Sequence, residues 1–520
     1  MSRSPRFSPA MLSRALNRRD FLRTAAGLAA VAALPDRVLA DPYGRHGITL
    51  PPPDPVRIRG RVVVQGRGLA GVAVGDGRGV VPTDGDGRFE ILSSTDRSYL
   101  SCSLPSGHRI PVNAPGTART YQPIRPDGRG EMDALFELEA LPEGDDAHTM
   151  FLLPDIQTQD AWEMARFHEL SVPDVQASVA ALGGRHGFGI ACGDIMYDDL
   201  AMYPEYERGV SRMGIPFFQV IGNHDLDYEG AVDEETTSTF SRHFGPRYYS
   251  FDRGAVHYVV MDDVFYHGTG YVGYLDRDQL AWLEEDLALV EPGRPVIVAM
   301  HIPVYGTRHI RDGQRDPAAS VSVNNREALT RLLEPFQAHV LSGHTHENDH
   351  NWEMGYHEHV SGVVCGAWWS GPICGDGTPH GYSAYEVDGE QIRWRYKSVG
   401  KADDHQLRAY LPGADPSAPD ELVANVWDAD PEWTVVWYEN GERRGRMARR
   451  VGYDPVSLRI HPGDRLPPRR TWVDPFPRYL YYAPVSADAR NVRVEATDRF
   501  GRSYSAMAGP VPADMAAWPL

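Results

Sequence analysis

Five apolar runs in the middle of the chain each end on residues with lone pairs to offer, and this constrains the fold more than any other feature. MFLLPDIQ ends on Asp155 and Gln157, FGIACGD on Asp194, and FFQVIGNHD on Asn223, His224 and Asp225. PVIVAMH ends on His301, and AHVLSGHTH on His344 and His346. Short apolar runs bounded by such residues read as buried strands. Parallel strands present the residues at their C-terminal ends along one edge of a sheet, where α/β proteins build their sites. Core packing gives no reason for Asp, Asn and His to recur at these ends. Their gathering predicts a site for two divalent cations.

The texture on either side differs. Residues 1–40 carry a basic stretch ending in Asn17-Arg18-Arg19-Asp20-Phe21-Leu22-Arg23, the apolar stretch Thr24 to Leu34, and Val38-Leu39-Ala40 as a small-residue cleavage site. The apolar stretch is too short to span a bilayer, and the paired arginines before Phe-Leu look like a twin-arginine signal, a route that exports proteins already folded. The expected location is therefore periplasmic or secreted, with no transmembrane segment in the mature chain. A Pro- and Gly-rich linker follows over 41–55. Residues 56–145 alternate with a period of two and predict a small antiparallel β-sandwich. Within it Asp84-Gly85-Asp86-Gly87 lacks the other ligands of a calcium loop and reads as a hairpin turn. The apolar runs then alternate with helical segments at Asp174 to Leu182, Asp276 to Val290, and Asn325 to Phe336, where Asn324 or Asn325 could cap the first turn. This α/β region is placed at 149–400, and a second β domain at 405–515.

The chain carries a net charge of −19, and cleavage after residue 40 would remove seven arginines and two aspartates, leaving it near −24. Such a surface repels nucleic acid and anionic lipid, so polymeric nucleic acid is excluded as a partner and phosphate must be attracted locally. Four cysteines are too few for a disulfide scaffold. Cys365 and Cys374 could pair or stay buried thiols, while Cys192 reads as core.

The ordered blocks over roughly 150–385 resemble the calcineurin-like metallophosphoesterases, and the whole layout resembles their bacterial secreted subgroup with a β domain on each side. The resemblance implies an α/β four-layer metallophosphatase sandwich, with two mixed sheets flanked by helices. It implies one divalent ion on Asp155, Gln157, Asp194 and His346, and a second on Asp194, Asn223, His301 and His344. Mn, Fe and Zn are the candidate metals. Asp194 bridges, because only a carboxylate gives one oxygen to each ion. A metal-bridging hydroxide would attack a phosphomonoester or small phosphodiester in line. His224 would protonate the departing alkoxide, with Asp225 orienting it by a hydrogen bond.

Gln157 stands where the family usually has His. An amide oxygen is a harder donor than an imidazole nitrogen, so the expected consequences are weaker binding at the first site, preference for a harder ion such as Mn²⁺ or Mg²⁺, or loss of activity. The last defines the competing reading, a catalytically weak or inactive metal-binding scaffold whose β domains hold envelope glycan or protein. Retention of His224 opposes it, since a structural metal site has no use for a proton donor. Around the site, Asp198 and Asp199 could support the metal ligands or cap the next helix, and His257 reads as structural. Tyr305, His380 and one of Trp368 and Trp369 could face the cleft.

Overall fold

The computed structural model describes residues 54–365, 372–460 and 475–512. The signal and most of the linker lie outside the described residues, as do Trp368 and Trp369. Among the described residues no helix is long and apolar enough to cross a membrane.

The centre is built from β1 (Ala147–Leu153), β2 (His186–Cys192), β3 (Phe217–Val220), β4 (Tyr249–Arg253), β5 (Val256–Val260), β6 (Pro295–Ala299), β7 (Gln337–Ser342), β8 (Asp349–Asn351), β9 (His357–Val360), β10 (Gly381–Asp388) and β11 (Gln391–Ser398). One sheet has the order β3–β2–β1–β10–β11 and the other β4–β5–β6–β7–β9–β8. Strands β1, β2 and β3 run parallel, as do β5, β6, β7 and β9. The remaining strands add antiparallel pairs, so both sheets are mixed.

Alternation along the strands sorts the apolar side chains into layers. Leu152, Phe188, Ile190 and Phe218 point between the sheets and meet Phe251, Tyr258, Ile297 and Leu341. The Phe218 and Phe251 rings stack across this gap at 3.8 Å, a pair worth about 0.5–1.5 kcal/mol beyond its buried area. On the outer face Phe151, Leu153, Ala191 and Phe217 pack on Val172, Val175, Tyr203 and Tyr206 of helices α1 (Val172–Ala180) and α2 (Tyr203–Met213). On the other outer face Val259, Val296, Val298 and Val340 pack on Leu283, Leu287, Leu329 and Leu333 of α3 (Arg277–Leu287) and α4 (Arg326–Leu333). The expected four-layer sandwich is the result. Asp276 caps α3 by accepting from the backbone N–H of Asp278 and Gln279, worth about 1 kcal/mol. The cap expected for α4 is corrected. Asn325 accepts from Leu275 N instead, and Asn324 donates to the carbonyls of Gly273 and Ala319.

The N-terminal strand Pro55–Val64 pairs antiparallel with Arg88–Ser94 but parallel with Glu131–Leu138, correcting the expected all-antiparallel sandwich. Period-two alternation reports which face a residue takes, not which way its strand runs. Asp84 Oδ1 accepts from the N–H groups of Asp86 and Arg88, so the acidic turn closes on itself. It links strands of two different sheets and is not a hairpin. The described residues between 407 and 507 include two further four-stranded antiparallel sheets around Leu422, Val426, Val435 and Val494.

The two flanks attach differently. The N-terminal sandwich shares one apolar core with the centre and adds backbone bridges Leu104–Phe251 and Thr117–Phe217. The C-terminal domain makes a smaller apolar contact, Phe500 on Trp394 and Ile373 among Tyr410, Val423 and Leu480, and adds buried polar contacts such as Arg478 on Asp376 at 2.8 Å and Arg311 on the Pro477 carbonyl at 3.0 Å.

Candidate metal centre

The C-terminal ends of β1, β2, β3, β6 and β7 converge, and each predicted ligand lies two to four residues past its strand. The ligand loops are bent tightly. Nine described non-glycine residues have positive φ, and six of them are Asp155 (44°), Gln157 (43°), Asp194 (47°), Asp198 (64°), His344 (68°) and His346 (56°). Such conformations cost of order 1–3 kcal/mol each and persist only where surrounding structure enforces them. Glycines make the approach possible. A Cβ on Gly222 would lie 2.0 Å from Asp194 N, and one on Gly343 2.2 Å from Asp155 Oδ2.

The donor atoms meet across the loops. His301 Nδ1 lies 3.0 Å from the Cys192 carbonyl, which can only accept, so Nδ1 carries the hydrogen. Its Nε2 then faces Asp194 Oδ1 and Asn223 Oδ1, both at 3.2 Å. Three lone pairs from three motifs point at one another, and a cation reconciles them. His344 lies close enough to Asp194 and His301 for all three to hold one ion. On the other side of Asp194, Gln157 Nε2 donates to Oδ2 at 2.9 Å, while Gln157 Oε1 is buried with no hydrogen-bond partner. An orphaned buried carbonyl oxygen is costly and suits a metal ligand. His346 Nε2 stands 3.2 Å from Asp155 Oδ1, and both Asp155 oxygens accept from His344 N. The residues present fit divalent metal ions.

The charges agree with the geometry. Burial would raise the Asp194 carboxyl, but His301 and His224 beside it hold it well below the usual range. Burial would lower His301, yet Asp194 outweighs this and pushes it up to about 10, so without a metal a proton fills the gap. Burial and the neighbouring His301 push His344 down to about 3, leaving its ring neutral. Asp263, which sequence reasoning missed, accepts from the backbone N–H of His301 and Ile302 and fixes that loop. Its signal was available, because MDD also ends an apolar run.

His224 was expected to be oriented by Asp225, and this is corrected. The Asp225 carboxylate accepts from Ile195 N, Met196 N, Gly222 N and the Tyr203 hydroxyl at 2.9–3.2 Å, tying the loops after β2 and β3 together. Asp198 instead meets His224 Nδ1 at 2.8 Å, and Tyr197 stacks on the ring at 4.1 Å. Burial lowers His224, but Asp194 and Asp198 raise it above its ordinary value. The open choice at 198 and 199 divides between them, for Asp199 accepts from Ala201 N as a helix cap.

Above the ligands opens a cleft of about 480 Å³, lined also by Tyr305, Arg308, His309, His380 and Phe476. Tyr305 and His380 thus face it as proposed. Phe476 comes from the C-terminal domain and carries the Arg308 guanidinium 3.9 Å over its ring. Neither was legible in the sequence. His257 is structural, held between Asp252 and Asp286 at 2.9 Å each. Cys192, Cys365 and Cys374 are all buried.

Comparison with known proteins adds the following. Residues 182–348 match the calcineurin-like phosphoesterase profile, residues 56–141 the N terminal and 358–504 the C terminal of calcineurin-like phosphoesterase, and residues 15–35 the TAT (twin-arginine translocation) pathway signal sequence. The serine/threonine-protein phosphatase CPPED1 of Danio rerio is 31% identical over 252 residues, 46% of this chain and 77% of that protein. Its Homo sapiens counterpart is 28% identical over 257 residues, 47% of this chain and 77% of that protein. Among solved structures, a dimetal phosphatase from Danio rerio aligns with TM-score 0.34 and 14% identity, covering 49% of this chain and 97% of that chain.

Proposed function

Because the chain belongs to the calcineurin-like phosphoesterase family and is an exported, metal-dependent phosphoester hydrolase, we propose that it cleaves a phosphomonoester or small phosphodiester at a dinuclear centre with His224 as general acid. The observation that carries this is the meeting of His301 Nε2, Asp194 Oδ1 and Asn223 Oδ1 at 3.2 Å, with the orphaned Gln157 Oε1 on the other side of the same carboxylate. Asp155, Gln157, Asp194 and His346 would hold one ion, and Asp194, Asn223, His301 and His344 the other. When bound, the ions supply positive charge to the phosphate and acidify the attacking water.

The protein's own residues do the rest. Asp198 fixes the His224 ring through Nδ1 and keeps it protonated, so Nε2 can give its proton to the departing oxygen. Tyr197 holds the plane of that ring. Asp225 and Asp263 keep the ligand loops in register. The oxygen of Gln157 favours a harder ion at the first position, so Mn²⁺ is expected to support activity better than Zn²⁺. The cleft volume and the acidic surface fit a small ester rather than a polymer.

The test is hydrolysis of the p-nitrophenyl phosphate monoester and the bis-p-nitrophenyl diester, with Mn²⁺, Fe²⁺ and Zn²⁺ added separately. Turnover of at least one ester, abolished by Asp194→Ala, is expected. No turnover of either with both ions bound would return the scaffold reading.

A further inference from the structure

A second histidine group lies away from the cleft, between the two sheets. His339 of β7 is the register partner of His357 in β9, and His359 follows two residues later on the same face. His350 of β8 is in turn the partner of His359. Neighbouring positions on this inner face are apolar, as Leu341 is, so four imidazoles here need a reason.

We propose that His339, His357 and His359 form a separate transition-metal site of the zinc class. One ring nitrogen from each residue lies within 4.8 Å of those of the other two. His339 Nδ1 is 3.1 Å from His359 Nε2, and His357 Nε2 is 3.1 Å from His350 Nδ1. Two nitrogens on one tetrahedral zinc stand roughly 3.3 Å apart, given Zn–N of about 2.0–2.1 Å. The rings are thus already near the separation that an ion needs.

The outer nitrogen of His359 is also held as a ligand requires. A metal-bound His usually has its other ring nitrogen fixed by a carboxylate, carbonyl or hydroxyl. His359 Nδ1 meets the Tyr385 hydroxyl at 3.3 Å. His350, which stands beside the trio as a candidate fourth ligand, meets Asp428 of the C-terminal domain at 2.8 Å through Nε2. Trp352 stacks on His357 at 4.0 Å and Trp394 packs edge-on against the group, so the rings cannot turn away. The nearby Arg499 guanidinium is engaged by Asp430 at 2.6 Å, which offsets the cation it sets beside the site.

The zinc content of the purified exported chain, loaded with Zn²⁺ and dialysed, tests this in wild type, Asp194→Ala, His359→Gln and the more exposed His339→Gln. One zinc fewer per chain is expected in each histidine variant, with phosphoesterase activity kept, while Asp194→Ala retains the ion they lose. Equal zinc in wild type and both histidine variants would overturn the proposal. Should neither variant fold, anomalous scattering from zinc-soaked wild-type crystals decides. A peak among the three rings supports the site, and peaks confined to the Asp194 cleft overturn it.

Discussion

Histidine serves this chain in two further settings that differ in one respect. His148 and His257 sit within strands β1 and β5, and both nitrogens of each find a protein partner. His148 meets the Asp145 carbonyl at 2.8 Å and the Tyr258 hydroxyl at 2.7 Å, and His257 lies between two carboxylates. At the strand ends, His301 has one nitrogen satisfied and the other aimed at atoms that only accept. For these residues the ring is thus complete within the strand and incomplete past its end. Completeness stabilises, and incompleteness leaves room for an ion or a substrate proton.

This contrast can be broken by experiment. The largest effect is expected for His224→Ala, a rim residue, with kcat falling by about 10²–10⁴ for esters with poor leaving groups. Thermal unfolding should not move, and a lowered Tm would erase the distinction. For the interior, His257→Asn leaves Asp252 and Asp286 without their shared partner and should lower stability by about 3–5 kcal/mol. Its kcat should match wild type in the folded fraction, as chemical denaturation alongside the p-nitrophenyl assay would reveal.

The pH dependence of stability sharpens the same point. Burial lowers His257, but Asp286 and Asp252 overcome it and raise it to about 9. A group raised on folding stabilises fully below its unfolded value of about 6.5 and loses that contribution as pH climbs through the folded value. Unfolding free energy should therefore fall between about pH 6.5 and 9, and the slope should vanish in His257→Asn. The smallest effect is expected for Asp198→Asn. It removes one of the charges that raise His224, so the alkaline limb of the kcat profile should shift to lower pH. An unmoved limb would mean that Asp198 does not support the proton donor.

Much of this architecture was legible in the sequence because strand ends and ligand types coincide. MFLLPDIQ and AHVLSGHTH mark both the strand and the residue it delivers, so the layers and the gathered ligands follow together. Where partners depend on loop paths, the sequence was silent. Asp225 neighbours His224 in the chain, yet the turn over 223–225 aims its carboxylate back at Gly222 N and Ile195 N. Asp198 reaches the ring because its own backbone adopts φ of 64°, which no pattern of residues announces. Phe476 enters the cleft only because the C-terminal domain folds back over it. The parallel pairing of Glu131–Leu138 was equally hidden, since alternation carries no direction.

Strand β1, which delivers Asp155 and Gln157, has β2 on one side and β10 on the other. During synthesis its second edge therefore stays open until nearly the whole catalytic domain has left the ribosome. An open central strand is a template for wrong pairing, and a chain ended early would keep it. The metal-bearing edge of this sheet is therefore complete only once β10, far downstream in the chain, has been made and paired with β1.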